Sequence, residues 1–491
     1  MLFNTADYLI FLPVIVILYY CIPTGWRYLW LLGASYYFYM QWNPAYVLLL
    51  LAVTVITFAG GLLLEKTESA GRRKACLVTV ISVNLLLLGY FKYSGMLTGY
   101  LNRVVTWAGG GEIPWDHEIV LPVGISFFTL QAIGYLIDVY RKEIYAEHNF
   151  FRYALFISFF PQLVAGPIER SKNLLKQLAE KQKCSYENIR RGLLQVLYGL
   201  FLKMVIADRL AVFVDHVYSD TASYPGFYIV VATALFAIQI YCDFYGYSVI
   251  ARGSALLMGI RLMDNFKAPF LSRDTNEFWR RWHISLSSWF RDYLYIPLGG
   301  NRKGEVRKYI NLLFTFAMSG LWHGASMAFI TWGLLNGIFQ VTGQAVRRLL
   351  RKRGLLKEAK EKEVFSGKVR QTMITFLLFC FSVLFFRSNN MVDAWHNLCR
   401  LFSVNNWYVL FDHSLTELGI SAEYFYVLAV SVLILFGVDR LKYREQDVTV
   451  LFFRQQLWFR ILTVTVLTVM ILLFGCYGSI YDVQQFIYFQ F

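Results

Sequence analysis

Apolar runs of about 20 residues, each with few charges, alternate with short polar segments along the whole chain. They fall at residues 8–23, 28–42, 45–64, 75–91, 119–137, 192–214, 225–242, 309–343, 371–386, 424–438 and 461–480. Hydrocarbon offers no partners to backbone N–H and C=O groups, so a spanning segment must be a helix or a strand of a closed barrel. The runs lack the short alternation of barrel strands. The pattern therefore predicts an all-α, polytopic transmembrane protein.

Composition agrees with this fold class. Of the 491 residues, 57% are hydrophobic and 16% are charged, whereas a soluble chain carries roughly 25% charged residues. The net charge of +15 comes from basic residues dispersed among the loops, so the positive-inside rule explains it better than nucleic-acid binding. We expect a multi-pass protein of the cytoplasmic (inner) cell membrane, with segments 215–224 and 389–423 outside.

The pattern indicates one membrane domain over residues 1–491. Its polar motifs fall in a core at about 119–343, a basic cytoplasmic connector follows at about 345–370, and the C-terminal spans occupy 371–491. The seven cysteines lack metal-ligand spacing, so we expect no metal site.

Two segments do not fit single crossings of the membrane. The first is the apolar stretch at 150–170, which has basic residues on both sides and is interrupted by Pro161, Gly166 and Pro167. Proline removes a backbone donor and glycine weakens a helix, so we expect a re-entrant or broken element there. Such backbone is tolerated at membrane depth only where protein buries it or water reaches it, which predicts a nearby cavity.

The second misfit is the 35-residue run from Tyr309 to Gly343. It exceeds one crossing of a ~30 Å core at about 1.5 Å per residue, and its basic flanks favour an even number of crossings. The natural break is Gly320 to Gly324, with His323 at its centre. A titratable side chain inside a span indicates a functional site. A solvated position is favoured instead for the loop histidines His117, His148, His216, His396 and His413.

Residues 277–300 carry the densest polar and aromatic pattern and predict one amphipathic helix. Two interpretations are equally favoured: an interfacial anchor whose arginines meet lipid phosphates, or a cavity wall whose arginines receive the phosphates of a ligand. At span ends, Asp138, Asp243 and Asp264 suit capping and ion pairing better than support of a cavity. At about 100° per residue, the polar stripe of this helix holds Asn276, Arg280, His283, Ser287 and Arg291, and the opposite face holds Phe278, Trp282, Leu286, Trp289 and Tyr293.

Six segments in order along the chain resemble the membrane-bound O-acyltransferase family: LPVGISFFTLQAIGYLIDVYR, FPQLVAGPIER, YCDFYGYSVIARGSALLMGI, EFWRRWHISLSSWFRDYLYIPLGGNRKG, SGLWHGASMAFITWGLLNG and the closing FIYFQF. The likeness runs over residues 1–491. It is greatest to the membrane subunits of bacterial alginate O-acetylation and their relatives in exopolysaccharide and cell-wall acetylation. It implies a helical ring around a thin core with re-entrant or broken helices.

The resemblance also implies a site and a reaction. His323 matches the family's essential histidine, and His283 matches its second characteristic histidine. The implied enzyme is an O-acyltransferase without a bound cofactor, which moves an acetyl group from a cytoplasmic thioester, acetyl-CoA, to an extracytoplasmic polysaccharide. His323 would be the catalytic base or the acyl-transfer residue, and an exported, esterase-like (SGNH) acetyltransferase is the implied partner. Candidate residues for substrate or donor binding are Arg280, Ser287, Arg291, Asp243 and Trp322.

Two alternatives remain open. D-alanyl transfer to teichoic acid would use a carrier-protein thioester, although the spans after residue 371 and the FIYFQF ending favour the alginate type. A non-enzymatic, proton-coupled transporter would use His323 as a proton relay, although the chain lacks the two matching halves typical of transporters.

Overall fold

The computed structural model describes residues 1–111, 121–353, 364–477 and 486–487. Within these ranges all regular structure is helical, which confirms the all-α prediction. His117, part of the basic connector and most of the FIYFQF motif lie outside the described residues. The chain divides into two compact units, Met1–Val196 with Ser248–Met263, and Leu197–Tyr247 with Asp264–Phe491.

Twenty α-helices make up the described part of the chain. The first nine are α1 (Ala6–Cys21), α2 (Arg27–Met40), α3 (Tyr46–Lys66), α4 (Ala70–Trp107), α5 (Ile125–Tyr140), α6 (Phe150–Ser158), α7 (Phe160–Leu163), α8 (Ser171–Ala179) and α9 (Tyr186–Leu200). A π-helical segment, Phe201–Ala207, follows. The rest are α10 (Asp208–Ser219), α11 (Phe227–Leu257), α12 (Thr275–Arg281), α13 (Ile284–Phe290), α14 (Glu305–His323), α15 (Met327–Lys352), α16 (Phe365–Arg387), α17 (Met391–Ser403), α18 (Ala422–Tyr443), α19 (Val448–Phe453) and α20 (Leu457–Phe474).

Six of the described helices, α3, α4, α11, α16, α18 and α20, are long and apolar enough to cross a membrane. Helices α1 and α5 are apolar but shorter. Each of these eight helices coincides with an apolar run of the sequence, so the chain is a multi-pass membrane protein.

In the first unit, the segment predicted to be broken is broken. Helix α6 ends at Ser158, and Phe159 leaves the helical conformation with φ −51° and ψ 108°. The short helix α7 then begins with Pro161 in its first turn. A Cβ at Gly166 would stand 2.2 Å from the Cα of Gln162, so the turn after α7 requires glycine. The side chains of 153–168 are buried throughout, as irregular backbone at membrane depth requires.

In the second unit, the long run from Tyr309 forms a helical hairpin. Helix α14 ends at His323, the chain turns through three residues, and Ser326 caps α15 by accepting the N–H of Ala328. The two helices lie antiparallel, because position 320 faces Phe329 and position 333 faces Phe316. The prediction of a break beside His323, with a return of the chain, is therefore confirmed.

The prediction of one amphipathic helix over 277–300 is wrong. Helix α12 ends at Arg281, and His283 adopts the left-handed conformation with φ +43° before α13 begins. A residue with positive φ breaks the rotation of 100° per residue on which the predicted stripe depends. Consequently His283 is buried while Arg280 and Arg291 are exposed.

The hairpin depends on two glycines at its closest approach. A Cβ at Gly320 would lie 2.2 Å from the carbonyl oxygen of Phe329, and a Cβ at Gly333 would lie 2.2 Å from that of Phe316. Both neighbours are backbone atoms, so they cannot swing away. We expect Gly320→Ala to destabilise the protein by roughly 1–3 kcal/mol, the usual cost of overpacking.

The measurement is thermal unfolding of the purified protein in detergent, with size-exclusion chromatography as the readout. Gly437→Ala in α18 is the matched control, because a Cβ there meets no atom within 4 Å. A Gly320→Ala protein as stable as Gly437→Ala would contradict the packing described.

Candidate active site

His323 lies at the C-terminal end of α14, with 5% of its surface exposed. Its ring centroid is 5.0 Å from that of Trp332 on α15 and 5.4 Å from that of Phe386 on α16, with T-shaped geometry in both pairs. The ring of the preceding Trp322 lies 4.9 Å away. Three helices of the second unit therefore enclose the imidazole in an aromatic wall.

His283 owes its position to the turn between α12 and α13. Asn265 holds this turn, since its carbonyl oxygen accepts the N–H of Ile284 at 3.0 Å and its Oδ1 accepts the N–H of Ser285 at 3.3 Å. Ser287 closes the other side: its N–H donates to the carbonyl of His283 at 2.9 Å, and its Oγ donates to that of Trp282 at 3.2 Å. These bonds stabilise a conformation that a non-glycine residue rarely adopts.

The structure brings the two predicted histidines together. Their ring centroids are 6.4 Å apart, and Trp322 lies beside both, 6.1 Å from the ring of His283. Phe244 of α11 packs edge-on against His283 at 4.6 Å. His283 is 1% exposed. The pair thus forms a buried, aromatic-lined site whose two imidazoles are within reach of one small ligand.

Arg280 and Arg291 lie away from the histidine pair. Both are exposed, and Arg291 forms an ion pair with its neighbour Asp292 at 2.8 Å. Helix α12 is nevertheless fixed to the hairpin, because Asp274 caps its first turn and accepts a bond from Arg347 of α15 at 2.6 Å. Burial raises the pKa of Asp274, but the Arg347 guanidinium and the backbone N–H groups of the first turn outweigh it, so the pKa lies below its ordinary value.

Asp243 lies in a buried ionic cluster. Lys203 from the π-helical segment contacts the carboxylates of Asp208 and Asp243, both at 2.7 Å. The second oxygen of Asp243 accepts the backbone N–H of Ile487 at 2.8 Å. Asp243 is thus ion-paired, as its position at a span end indicates, and its partner is this lysine. Asp243 pairs with Lys203 rather than with either histidine, and its chain neighbour Phe244 contacts His283.

Sequence reasoning missed four residues that shape the site: Phe244, Asn265, Trp332 and Phe386. Trp332 and Phe386 fall inside apolar runs and Phe244 lies two residues after one, so nothing in the apolar pattern distinguishes these rings from lipid-facing neighbours. Asn265 follows one of the segments on which the family likeness rests. Its polar amide, shortly before the histidine segment, is the signal that could have indicated its role. Among the described residues, no group of three histidine, cysteine, aspartate or glutamate side chains could hold a metal ion.

Comparison with known proteins shows the family of the chain. Residues 139–388, which include both histidines, match the sequence pattern of "MBOAT, membrane-bound O-acyltransferase family". A probable alginate O-acetylase of Pseudomonas aeruginosa is 38% identical over 445 residues, covering 89% of this chain and 82% of the relative. A peptidoglycan O-acetyltransferase of Helicobacter pylori is 34% identical, covering 80% and 78%.

A more distant relative is a teichoic acid D-alanyltransferase of Bacillus subtilis, 26% identical over 236 residues, with 45% of this chain and 58% of the relative covered. The family match spans the broken segment, the histidine turn and the hairpin. The chain is an O-acyltransferase, so the alternative of a non-enzymatic transporter is not supported. It belongs to the membrane-bound O-acyltransferase family.

Proposed function

We propose that this chain takes an acetyl group from acetyl-CoA on the cytoplasmic side and passes it to a hydroxyl acceptor on the far side, for O-acetylation of an extracytoplasmic polysaccharide. The observation that carries the proposal is the buried pair of His323 and His283, which lie at two interruptions of helical structure in the second unit. The names of two relatives that each cover 80% or more of the chain, an alginate O-acetylase and a peptidoglycan O-acetyltransferase, support acetyl as the group and a glycan as the final acceptor.

In the proposed mechanism His323 is the general base. A neutral imidazole removes the hydroxyl proton as the oxygen attacks the thioester carbonyl. The new C–O bond forms, the C–S bond breaks, and the imidazolium returns the proton to the leaving thiolate. The C-terminal end of α14 then stabilises the transient cation, since the helix dipole is negative at that end.

The other candidate residues take separate roles in this proposal. His283 hydrogen-bonds the thioester oxygen or the acceptor across the 6.4 Å between the rings, while Trp322 forms the wall and Ser287 holds the turn. Arg280 and Arg291 meet the phosphates of the donor where it enters, as exposed guanidinium groups can. The mobile pantetheine arm of the donor would span the distance from these arginines to the buried pair.

D-alanyl transfer from a carrier protein is less well supported. The D-alanyltransferase relative covers 45% of this chain, whereas the two acetyltransferase relatives cover 80% or more. An exported, esterase-like acetyltransferase is the partner in this proposal: it receives the acetyl group on the far side and completes its transfer to the polymer.

The first test concerns His323. Replacing it by alanine should lower acetyl transfer from radiolabelled acetyl-CoA in proteoliposomes by roughly 10³-fold or more, because both the proton transfer and the positioning of the attacking oxygen are lost. His413→Ala is the control, since that histidine is exposed in a loop. Near-normal transfer by His323→Ala would contradict the role of His323 as general base. Transfer from a D-alanyl carrier protein instead of acetyl-CoA would contradict the choice of donor.

The second test concerns the two exposed arginines. The double variant Arg280→Gln with Arg291→Gln should raise KM for acetyl-CoA roughly tenfold or more, through the loss of charge-assisted contacts to phosphate, with kcat little changed. Acetyl-pantetheine, which has the thioester but lacks the nucleotide phosphates, should show the same KM with wild type and variant. Thiol release measures both. Arg454→Gln is the matched exposed control. An equal rise in KM for both donors would contradict phosphate recognition by these residues.

A further inference from the structure

Trp332 carries a polar group that takes no part in the mechanism proposed above. The indole N–H of a tryptophan can only donate, and a buried one usually finds an acceptor. Trp332 is 3% exposed, and within the part of the chain that the structure describes no acceptor lies within hydrogen-bond distance of its Nε1. A buried donor without an acceptor costs free energy. The N–H of Trp332 is therefore available to a ligand.

This donor belongs to a ring that stands beside the proposed general base. The ring centroids of Trp332 and His323 are 5.0 Å apart and the rings are perpendicular, at 88°, so an edge of one meets the face of the other. Two hydrogen bonds of about 2.9 Å each, joined by an O–C–O unit, more than span this separation. One carbon atom can therefore hold one of its oxygens on the imidazole and the other on the indole N–H.

The indole is held in place by packing on two further helices. Trp332 contacts the ring of Trp279 on α12 at 5.8 Å and that of Phe386 on α16 at 5.1 Å, with T-shaped geometry in both pairs. Its carbonyl oxygen accepts a bond from Nδ2 of Asn336, one turn further along α15, at 2.8 Å. A donor fixed in this way needs no reorganisation as charge develops, which is the condition for electrostatic catalysis.

We propose that the indole N–H of Trp332 is the oxyanion donor of this site, and that it hydrogen-bonds the thioester carbonyl oxygen as that oxygen becomes negative. The proposal rests on the proposed function, because acyl transfer at His323 is what creates the charge. When the hydroxyl oxygen attacks, the C–O bond forms, the carbonyl π pair moves onto oxygen, and the proton passes to the imidazole. The oxyanion then restores the C=O bond, the C–S bond breaks, and the leaving thiolate takes the proton.

The chemistry of indole suits this task. Indole is neutral and does not titrate where imidazole does, so it stabilises negative charge without competing for the proton that His323 moves. Among aromatic side chains an N–H dipole acts more strongly than it does in water. The donor favours the transition state over the substrate, since the carbonyl oxygen gains its negative charge only as the tetrahedral state forms.

The test removes the N–H and keeps the shape of the ring. Benzothienylalanine, in which sulfur takes the place of the indole N–H, replaces Trp332 in one version of the protein, and Trp332→Phe removes the same donor in a second. Both should lower kcat for acetyl transfer from acetyl-CoA in proteoliposomes roughly 10²-fold or more, the usual loss for one oxyanion donor. The fall should be the same at every pH at which the wild type is active, because indole does not titrate there.

Binding and a matched control separate this role from packing. Affinity for the non-cleavable ketone analogue of acetyl-CoA should change little in both versions, because that analogue forms no oxyanion. The control makes the same two replacements at Trp289, a buried tryptophan of α13 whose ring packs on Phe290 and Tyr293. The control proteins should keep a kcat near that of the wild type.

Two results would overturn this proposal alone. One is a kcat near the wild-type value in the sulfur-containing version while His323→Ala is inactive, in which case the N–H donates to the face of a neighbouring ring. The other is a fall in kcat that is matched by the Trp289 controls or by lost affinity for the ketone analogue, since packing would then explain it. A His323→Ala protein as active as the wild type would overturn the proposed function, and with it the charge on which this proposal rests.

Discussion

The second unit depends on the close approach of α14 and α15, where hydrogen in place of a side chain at Gly320 and Gly333 lets the two backbones meet. A helix that ends within hydrocarbon must pair or bury its last carbonyl groups. At the end of α14 the N–H of Gly324 donates to the carbonyl of Gly320, and the chain then turns back, with Ser326 capping the next helix. The end of a helix can therefore lie inside the unit, and the residue at that end is His323.

Both histidines occupy interruptions of helical structure, and for different reasons. His323 is the last residue of α14, which packs against α15. His283 is a left-handed residue between the short helices α12 and α13, and hydrogen bonds with Asn265 and Ser287 hold its turn. A side chain at a helix interior is shielded by neighbours one turn away, but one at an interruption projects clear of them. The two interruptions bring the imidazole rings to within 6.4 Å of each other, and the ring of Trp322 lies 6.1 Å from that of His283.

The sequence predicts those features that depend on local length and composition. The apolar runs, the break in the long run and the broken segment at 150–170 follow from spans of known length and from the backbone limits of proline and glycine. The stripe from Arg280 to Arg291 could not be predicted correctly, because it assumes uniform helical rotation and the φ of His283 is set by the distant Asn265. Phe386 is also far from His323 in the chain, and no periodicity brings the two together.

Asp243 also combines a local feature with distant ones. The sequence shows a carboxylate at a span end, but its partners, Lys203 and Ile487, are known only from the structure. A charge buried among apolar helices is tolerated when an opposite charge and hydrogen bonds compensate it. Here the carboxylate satisfies both an ammonium group and a backbone N–H of the chain's last described residues, and Phe486 packs on Tyr247 and Phe244. Since Phe244 also contacts His283, the ionic cluster acts on the site through packing. We therefore propose that Asp243 is a positioning residue, whose charge stabilises the wall of the site.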